Sequence, residues 1–426
     1  MKKILLITYS LLLLLNGYAQ ENNTLQNTAQ KHLSLDEILA TIQANHPAMK
    51  MYDADIRSMD EAAKGATSWM DPEFAAGFYQ TPYNVSKWNS MDGQPGMGMF
   101  MVSGQQTFPN KKKQETQSKY MEAMSSVEKE RKNATLNDLF ADAKQNYMEG
   151  IIIKKKLAVV LQNEKLLGFM IQNAEVRYKN GLEKLSAYFK AKAALGNLTN
   201  MELMLENDWK QNQIKLNTLM NTDKSIEFSI DTNYTIKEYA KETLDSSYLK
   251  ATRSDIKSID KNIQLTYLQQ EAEKAKFKPE FGIKYDHMFA WAQQPWQFSL
   301  MGMVKIPMNW STKMYKANIE SYKWKAQSLE QQKLMIVNES TGMATGMQSE
   351  IELKKKQLKL YETNIIPALQ RNYQSTQLAY EQNTEELFML YDAWETLNMT
   401  QLEYLDQLRQ LLVLQVSLEN ILEKRS

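Results

Sequence analysis

Two stretches of the sequence repeat each other. Residues 61–80 read EAAKGATSWMDPEFAAGFYQ, and residues 271–287 read EAEKAKFKPEFGIKYDH. Both contain Pro-Glu-Phe, at 72–74 and at 279–281. Because self-similarity at a fixed offset is the signature of an internal repeat, these stretches predict that the chain consists of two similar halves.

Further segments repeat with a similar offset of about 200 residues. Phe108-Pro109 precedes a lysine-rich helix start, and Ile306-Pro307 does the same in the second half. The segment AEVRYKNG at 174–181 is matched by TQLAYEQN at 376–383. Each half is therefore predicted to contain a helix, two strands and two further helices.

Alternating apolar and polar residues occupy two windows, 71–108 and 279–307. In the second window Phe298, Leu300 and Val304 share one face of an extended chain. Such segments, separated by turn residues, are typical of membrane barrel strands with one face toward lipid and the other toward a wet lumen. The two windows predict four strands, and four strands cannot close a barrel alone. The pattern therefore predicts an oligomer.

Long helices are predicted between and after these windows. No proline lies between Pro109 and Pro279, although the chain contains nine, and proline breaks helix interiors. From Asn110 to Lys179 apolar residues recur every three or four positions with charged residues between them, which is typical of coiled-coil packing. A helix of that length extends about 100 Å.

Composition excludes several classes of function. The 51 basic and 50 acidic residues leave a formal net charge of +1, which gives no indication of nucleic-acid binding. The chain contains no cysteine, which excludes disulfides, thiol catalysis and cysteine metal sites. The three histidines are scattered, and no phosphate loop or His-Glu-x-x-His motif is present. The sequence therefore predicts neither an enzyme nor a cofactor.

The N-terminus predicts export. Lys2 and Lys3 precede an apolar run from Ile4 to Leu15, and the small residues Gly17 and Ala19 follow at the −3 and −1 positions. This is the pattern of a secretory signal peptide, with cleavage expected after Ala19. The polar stretch from Gln20 to Lys31 is expected to be flexible.

The order of these features resembles the TolC-like outer-membrane efflux family over nearly the whole mature chain. The resemblance depends mainly on QQTFP at Gln105–Pro109, on RYKNG at Arg177–Gly181 and on LDEI at Leu35–Ile38. Many members carry a lipidated N-terminal cysteine, which this sequence lacks, so we expect the barrel alone to hold the protein in the membrane.

The resemblance implies a homotrimer in the cell outer membrane, with a large helical part in the periplasm. Its fold would be mainly α with a small β part. Duplicated long helical hairpins would form a coiled-coil α-barrel, and four strands per subunit would contribute to a twelve-stranded β-barrel. The implied function is a passive exit duct of a tripartite efflux system. Its implied partners are a periplasmic adaptor protein, a proton-driven inner-membrane pump and outer-membrane lipid.

Together, pattern and resemblance predict the following division of the chain. It consists of a signal peptide (1–19), a flexible segment (20–33), a helical entry of repeat 1 (34–70), β-hairpin 1 (71–108), helical hairpin 1 with its tip near 180–186 (109–221), an equatorial connection (222–235), a helical entry of repeat 2 (236–278), β-hairpin 2 (279–307), and helical hairpin 2 with its tip near 382–388 and a C-terminal helix (308–426).

The resemblance also assigns roles to the two tips, where the turns would meet the adaptor and the pump. The candidates for partner contact are Gly181, Leu182, Leu185, Thr384 and Leu387. The candidates for charged gate residues that set a cation preference are Glu183, Glu385 and Glu386. Each of them is also consistent with an ordinary helix-turn residue.

Tryptophan and methionine give two further hypotheses. Five tryptophans bracket the strands and are candidates for interfacial aromatic belts: Trp69, Trp310, Trp88, Trp291 and Trp296. Five methionines alternate in the β windows and would point into the lumen: Met97, Met99, Met101, Met301 and Met303. Thioethers suit Cu(I) or Ag(I), which suggests heavy-metal efflux, but methionine is also a flexible apolar filler. The sequence leaves both interpretations open, and drugs remain an alternative substrate class.

Two other functions remain open at this level. A duct for type I secretion of proteins or peptides would have a similar tunnel wall. If the chain were instead a periplasmic coiled-coil adaptor or scaffold, the two β windows would form strands in a water-soluble protein. Such adaptors usually carry one helical hairpin and not two.

Overall fold

The computed structural model describes residues 31–91, 93–239 and 245–424. The predicted signal peptide and residues 20–30 of the predicted flexible segment lie outside this part of the chain. The elements in chain order are β1 (Lys31–Leu33), α1 (Leu35–Asn45), α2 (Pro47–Lys64), β2 (Glu73–Tyr79), β3 (Met99–Phe108), α3 (Lys111–Lys179), α4 (Leu185–Leu219), β4 (Phe228–Ile230), α5 (Ser246–Thr252), α6 (Ser254–Ala275), β5 (Glu280–Ala290), β6 (Gln297–Lys305), α7 (Lys313–Leu360), α8 (Ile366–Glu381) and α9 (Leu387–Leu422).

The two halves contain helices of equal length. Helix α3 is a single α-helix of 69 residues, started by the Asn110 side chain, which accepts a hydrogen bond from the Lys112 amide. In the second half α7 and α8 are joined by a π-helical stretch, Tyr361–Ile365, and Pro367 is the second residue of α8. Proline offers no N–H to the preceding turn, and the wider π-turn carries the helix past it. From Lys313 to Glu381 this second rod also spans 69 residues.

The helices lie side by side along the long axis. Near the sheet, α2, α3, α6 and α7 are neighbours, and at the far end α3 packs against α4 and α9. Fully buried side chains include Ile151 of α3, Leu216 of α4, and Leu408 and Leu411 of α9. Each such burial contributes roughly 1.5–3 kcal/mol, so tertiary packing accounts for most of the stability of these polar helices.

The N-terminal segment differs from the sequence-based expectation. Residues 31–33, which we expected in a flexible segment, form β1 and pair in parallel with β4 in the equatorial connection. Leu33 and Phe228 are buried there. That burial offsets the entropy cost of ordering this end of the chain.

A largely buried ionic cluster joins residues 237–239, which follow the equatorial connection, to the helices. The Glu419 carboxylate of α9 lies 2.9 Å from Lys144 Nζ of α3 and 2.6 Å from Lys237 Nζ. It also accepts a hydrogen bond from the Tyr239 hydroxyl at 2.8 Å. Burial raises the pKa of Glu419, but hydrogen bonds from Lys237, Lys144 and Tyr239 outweigh that effect, and the pKa lies below its ordinary value.

Within residues 31–91, 93–239 and 245–424, no helix combines the length and apolar character needed to cross a bilayer.

Candidate functional site

One antiparallel sheet contains the four strands of the two β windows, in the order β2-β3-β5-β6. Its register pairs Phe78 with Phe100, Phe100 with Phe289, and Tyr285 with Leu300. Directly opposed residues share a face of a sheet, so most of the large aromatic and branched apolar residues of the four strands lie on one side.

We call this side the apolar face. His287 and Gln106 also lie on this side. Apart from the half-buried Phe108, its large apolar side chains are Phe74, Phe78, Phe100, Val102, Phe281, Ile283, Tyr285, Phe289, Phe298, Leu300 and Val304. All of them are exposed, with Phe74 at 78% and Leu300 at 67% of their full accessible area. A contiguous apolar surface of this extent marks a site of contact with lipid or with another protein.

The opposite side, the polar face, carries charged and hydrophilic groups. It comprises Glu73, Ser103, Gln105, Glu280, Lys284, Asp286, Ser299 and Lys305 together with methionines. Lys284 Nζ lies 3.0 Å from the Asp286 carboxylate. The sheet is thus two-sided in the way predicted from the alternation of its strands.

The two outer strands are open. Among the residues that the structure describes, β2 pairs only with β3, and β6 pairs only with β5. An unprotected edge strand is a template for pairing with another chain, so both edges are available for such pairing.

The predicted interface tryptophans lie at both ends of the sheet. At the end with the hairpin loops, Trp88 and Trp291 lie against Phe78, with ring centroids 5.9 and 6.2 Å away. At the helix end Trp69 packs edge-on against Phe108 at 5.2 Å. The remaining two are Trp296 at the loop end and Trp310 at the helix end, both exposed. Aromatic rings therefore flank the apolar face at both rims.

The five predicted methionines do not form one cluster. Met99, Met101, Met301 and Met303 lie on the polar face, whereas Met97 precedes β3. Met101 is opposed by Met288, which the sequence reading did not single out, but Met301 is opposed by the ammonium-bearing Lys284 and Met303 by Gly282. A continuous thioether site across the sheet is therefore absent among these pairs.

The two helical hairpins end in matching turns. After α3, Gly181 adopts φ +74°, and the Leu182 amide donates to the Arg177 carbonyl at 2.9 Å. After α8, Asn383 adopts φ +58°, and the Thr384 amide donates at 2.9 Å to the carbonyl five residues earlier. Both are Schellman turns, in which glycine or asparagine accepts the left-handed conformation. The duplicated sequence thus produces a duplicated turn.

The turns lie side by side around a cavity of about 500 Å³. Lys184 Nζ of the first turn is 3.1 Å from the Glu386 carboxylate of the second. The Arg177 guanidinium lies 4.3 Å above the Tyr380 ring and donates to its carbonyl at 3.1 Å. Both groups of the Lys184–Glu386 pair are exposed, so it contributes less than about 1 kcal/mol.

Of the five predicted contact residues at the tips, four are exposed and one is buried. Gly181, Leu182, Leu185 and Thr384 are exposed, with Leu182 at 62%. Leu387 is only 1% exposed, so its assignment to partner contact is wrong. It is the first residue of α9, and its side chain packs into the hydrophobic core against both hairpins.

The three predicted gate carboxylates differ in their ionic contacts. Glu386 is held by Lys184, whereas Glu183 and Glu385 have no ion pair within the described part of the chain. Arg177 and Lys184 line the same cavity as the three carboxylates. The sequence reading missed Arg177 as a tip residue, although it directly precedes the repeated tyrosine.

Comparison with solved structures gives the chain a structural class. The outer-membrane channel OprN is similar with a TM-score of 0.74 at 12% identity, over 91% of this chain and 89% of that one. CusC, whose crystal structures concern folding and transmembrane channel formation, is similar with a TM-score of 0.74 at 13% identity, over 91% of each chain. The outer membrane protein VceC of Vibrio cholerae has a TM-score of 0.71 at 14% identity, over 91% of this chain and 95% of that one.

This chain has the outer-membrane channel fold. The predicted fold, with duplicated long helical hairpins and four strands, is thereby confirmed, as is the resemblance to the TolC-like family at the level of fold. No protein-family model matches the sequence. No curated protein matches it either.

Within the outer-membrane channel fold, the two regions described above occupy opposite ends. The two-sided sheet forms one end, and the paired Schellman turns form the other, at the far end of rods about 100 Å long.

Proposed function

We propose that this chain is one subunit of an outer-membrane exit duct in a tripartite efflux system. Three copies pair β6 of one subunit with β2 of the next and close a twelve-stranded barrel. The apolar face then contacts lipid, the polar face lines the lumen, and the helices form a tunnel below it. The duct is passive, and an inner-membrane pump supplies the energy.

The observation that supports this proposal most strongly is the exposed apolar face between two aromatic rims. A water-soluble scaffold would cover such a surface, whereas a membrane barrel presents it to lipid between girdles of aromatic residues. The duplicated hairpins also argue against an adaptor, which would carry one. No observation on the described residues specifically favours the protein-secretion alternative.

Fractionation of cells that produce the full chain tests the proposal. We expect the protein in the outer-membrane fraction, released only by detergent and with the mass of three subunits. Recovery as a water-soluble monomer from the periplasm would contradict the exit-duct function and support the scaffold alternative.

At the opposite end, we propose that the exposed tip residues contact a periplasmic adaptor and that the tip opens by separation of the two turns. The weak Lys184–Glu386 pair and the Arg177–Tyr380 contact would break first. Glu183 and Glu385 then remain as unpaired carboxylates at the entrance.

The soft-metal hypothesis has its own test. Changing Met97, Met99, Met101, Met301 and Met303 together to Leu preserves volume and removes the thioethers. If the duct exports Cu(I) or Ag(I) by contact with these groups, copper and silver tolerance should fall severalfold. Because Lys284 opposes Met301, we expect unchanged tolerance, and a loss of tolerance at normal protein levels would revive the metal hypothesis.

A further inference from the structure

A basic cavity lies where the sheet meets the helices. It has a volume of about 240 Å³ and lies between the first residues of α3, the connection from α6 to β5, and the end of β6. Four lysines line it, Lys113, Lys276, Lys278 and Lys305, together with a single carboxylate, Glu280. No motif in the sequence reading indicated this cavity.

Two of the lysines are already neutralised. Lys113 Nζ lies 2.5 Å from Glu280, and Lys276 Nζ lies 2.5 Å from Glu273. Both carboxylates are almost fully buried, with side chains 8% and 9% exposed. Each carboxylate is thus paired with a lysine, and the lysine side chains, 34% and 35% exposed, are more accessible than the carboxylates.

The other two lysines are not neutralised in this way. Lys278 is exposed and has no ion pair among the described residues, and Lys305 is 3.8 Å from Glu280, which Lys113 already binds more closely. The cavity thus keeps two positive charges in excess. A concave surface with charge of one sign concentrates ions of the opposite sign.

The position of the lining residues in the sheet shows on which face of the sheet the cavity lies. Lys305 and Glu280 are directly opposed across β5 and β6 and share the polar face with Lys284. The corresponding stretch in the first half, residues 65–72, contains no lysine. The lysines at 276 and 278 thus have no counterpart in the first half, and the basic cavity lies on the side away from the apolar face.

We propose that this basic cavity is an anion-binding site, taking a phosphate or carboxylate group of a solute that passes along the polar face. The proposal rests on the exit-duct function, in which the polar face lines the lumen. Three copies would form a positively charged ring at the base of the barrel and favour anionic cargo over cations.

The test uses the purified full-length protein in detergent and radiolabelled pyrophosphate as the probe. We expect saturable binding of one pyrophosphate per subunit that weakens with salt. Lys278→Gln/Lys305→Gln should lower the affinity at least about tenfold, the loss of roughly 1.4 kcal/mol. The matched control is Lys356→Gln/Lys359→Gln, which removes the same charge from exposed positions on α7 and should bind like the parent.

Three results would overturn the proposal. One is absence of binding to the parent protein, and another is equal binding by both double variants. The third is displacement of pyrophosphate by phosphatidylglycerol micelles but not by soluble glycerol phosphate, which would assign the cavity to a lipid headgroup. The mass of the same preparation separates this proposal from the exit-duct function, since a trimer without pyrophosphate binding leaves the duct intact.

Discussion

Leu300→Arg is expected to abolish assembly of the trimer in the outer membrane. Leu300 lies near the middle of β6 on the apolar face and is 67% exposed in the subunit. An arginine on the lipid face of a barrel costs roughly 2–4 kcal/mol near the bilayer midplane. Three copies would bear that cost in every trimer. The measurement is the amount of trimer recovered from the outer-membrane fraction.

Ser299→Arg provides the matched control for this variant. Ser299 is the adjacent residue on β6, points to the polar face and is opposed by Asp286, so the new charge meets water and a carboxylate. We expect normal trimer levels from it. Normal trimer levels from Leu300→Arg as well would mean that the apolar face does not contact lipid.

Glu419→Gln is expected to lower the stability of the helical part by roughly 3–5 kcal/mol, the usual cost of removing one partner of a buried ion pair. Lys144 would keep its charge in a site where its side chain is only 8% exposed. Thermal unfolding followed by helical circular dichroism measures the change. Glu350→Gln, at an exposed position of α7, is the control and should unfold like the parent.

The loss of stability in Glu419→Gln should depend on pH. Because the pKa of Glu419 is lower in the folded protein than its ordinary 4.5, the ionised carboxylate contributes stability above pH 4.5. That contribution falls as the pH drops through the lowered pKa. The difference between parent and Glu419→Gln should therefore be full at pH 7 and shrink as the pH falls below 4.5. A difference that stayed constant with pH would contradict a role for the charge.

The fold was largely predictable because its main signals are local. No proline lies between Pro109 and Pro279, and apolar residues recur every three or four positions. These two signals predicted a helix from about Asn110 to Lys179, and the structure has α3 at Lys111–Lys179. Alternation assigned Phe298 and Leu300 to one face, as the register shows. The repeated tip sequences indicated two turns of one type, and Gly181 and Asn383 take matching conformations.

The parts that sequence could not predict depend on distant contacts. The pairing of β1 with β4 joins residues about 200 positions apart, and neither three-residue strand has a pattern of its own. Lys144 and Glu419 read as solvated helix positions, because charge alone does not show which face packs inward. Leu387 follows a polar turn and would look accessible from the sequence, but in the folded chain it is buried in the hydrophobic core.

The basic cavity could not be predicted from the sequence either, because it also depends on contacts between distant segments. Lys113, Lys278 and Lys305 come from three separate segments, and only the sheet register together with the start of α3 brings them to one place. Lysines beside helix ends are common in sequence. Their convergence around nearly buried carboxylates is a property of the folded chain alone.

Labelling of single cysteines tests the central claim that the apolar face lies in lipid and the polar face in water. The chain has no cysteine of its own, so Phe298→Cys, Ser299→Cys, Leu300→Cys and Met301→Cys each introduce one reactive site. In the trimer reconstituted into lipid vesicles, a membrane-impermeant maleimide should modify Ser299→Cys and Met301→Cys at least about ten times faster than the other two, because thiols in the hydrocarbon region of a barrel do not meet water. Equal rates at all four positions, or faster labelling of Phe298→Cys and Leu300→Cys, would contradict the membrane-spanning sheet and with it the exit duct.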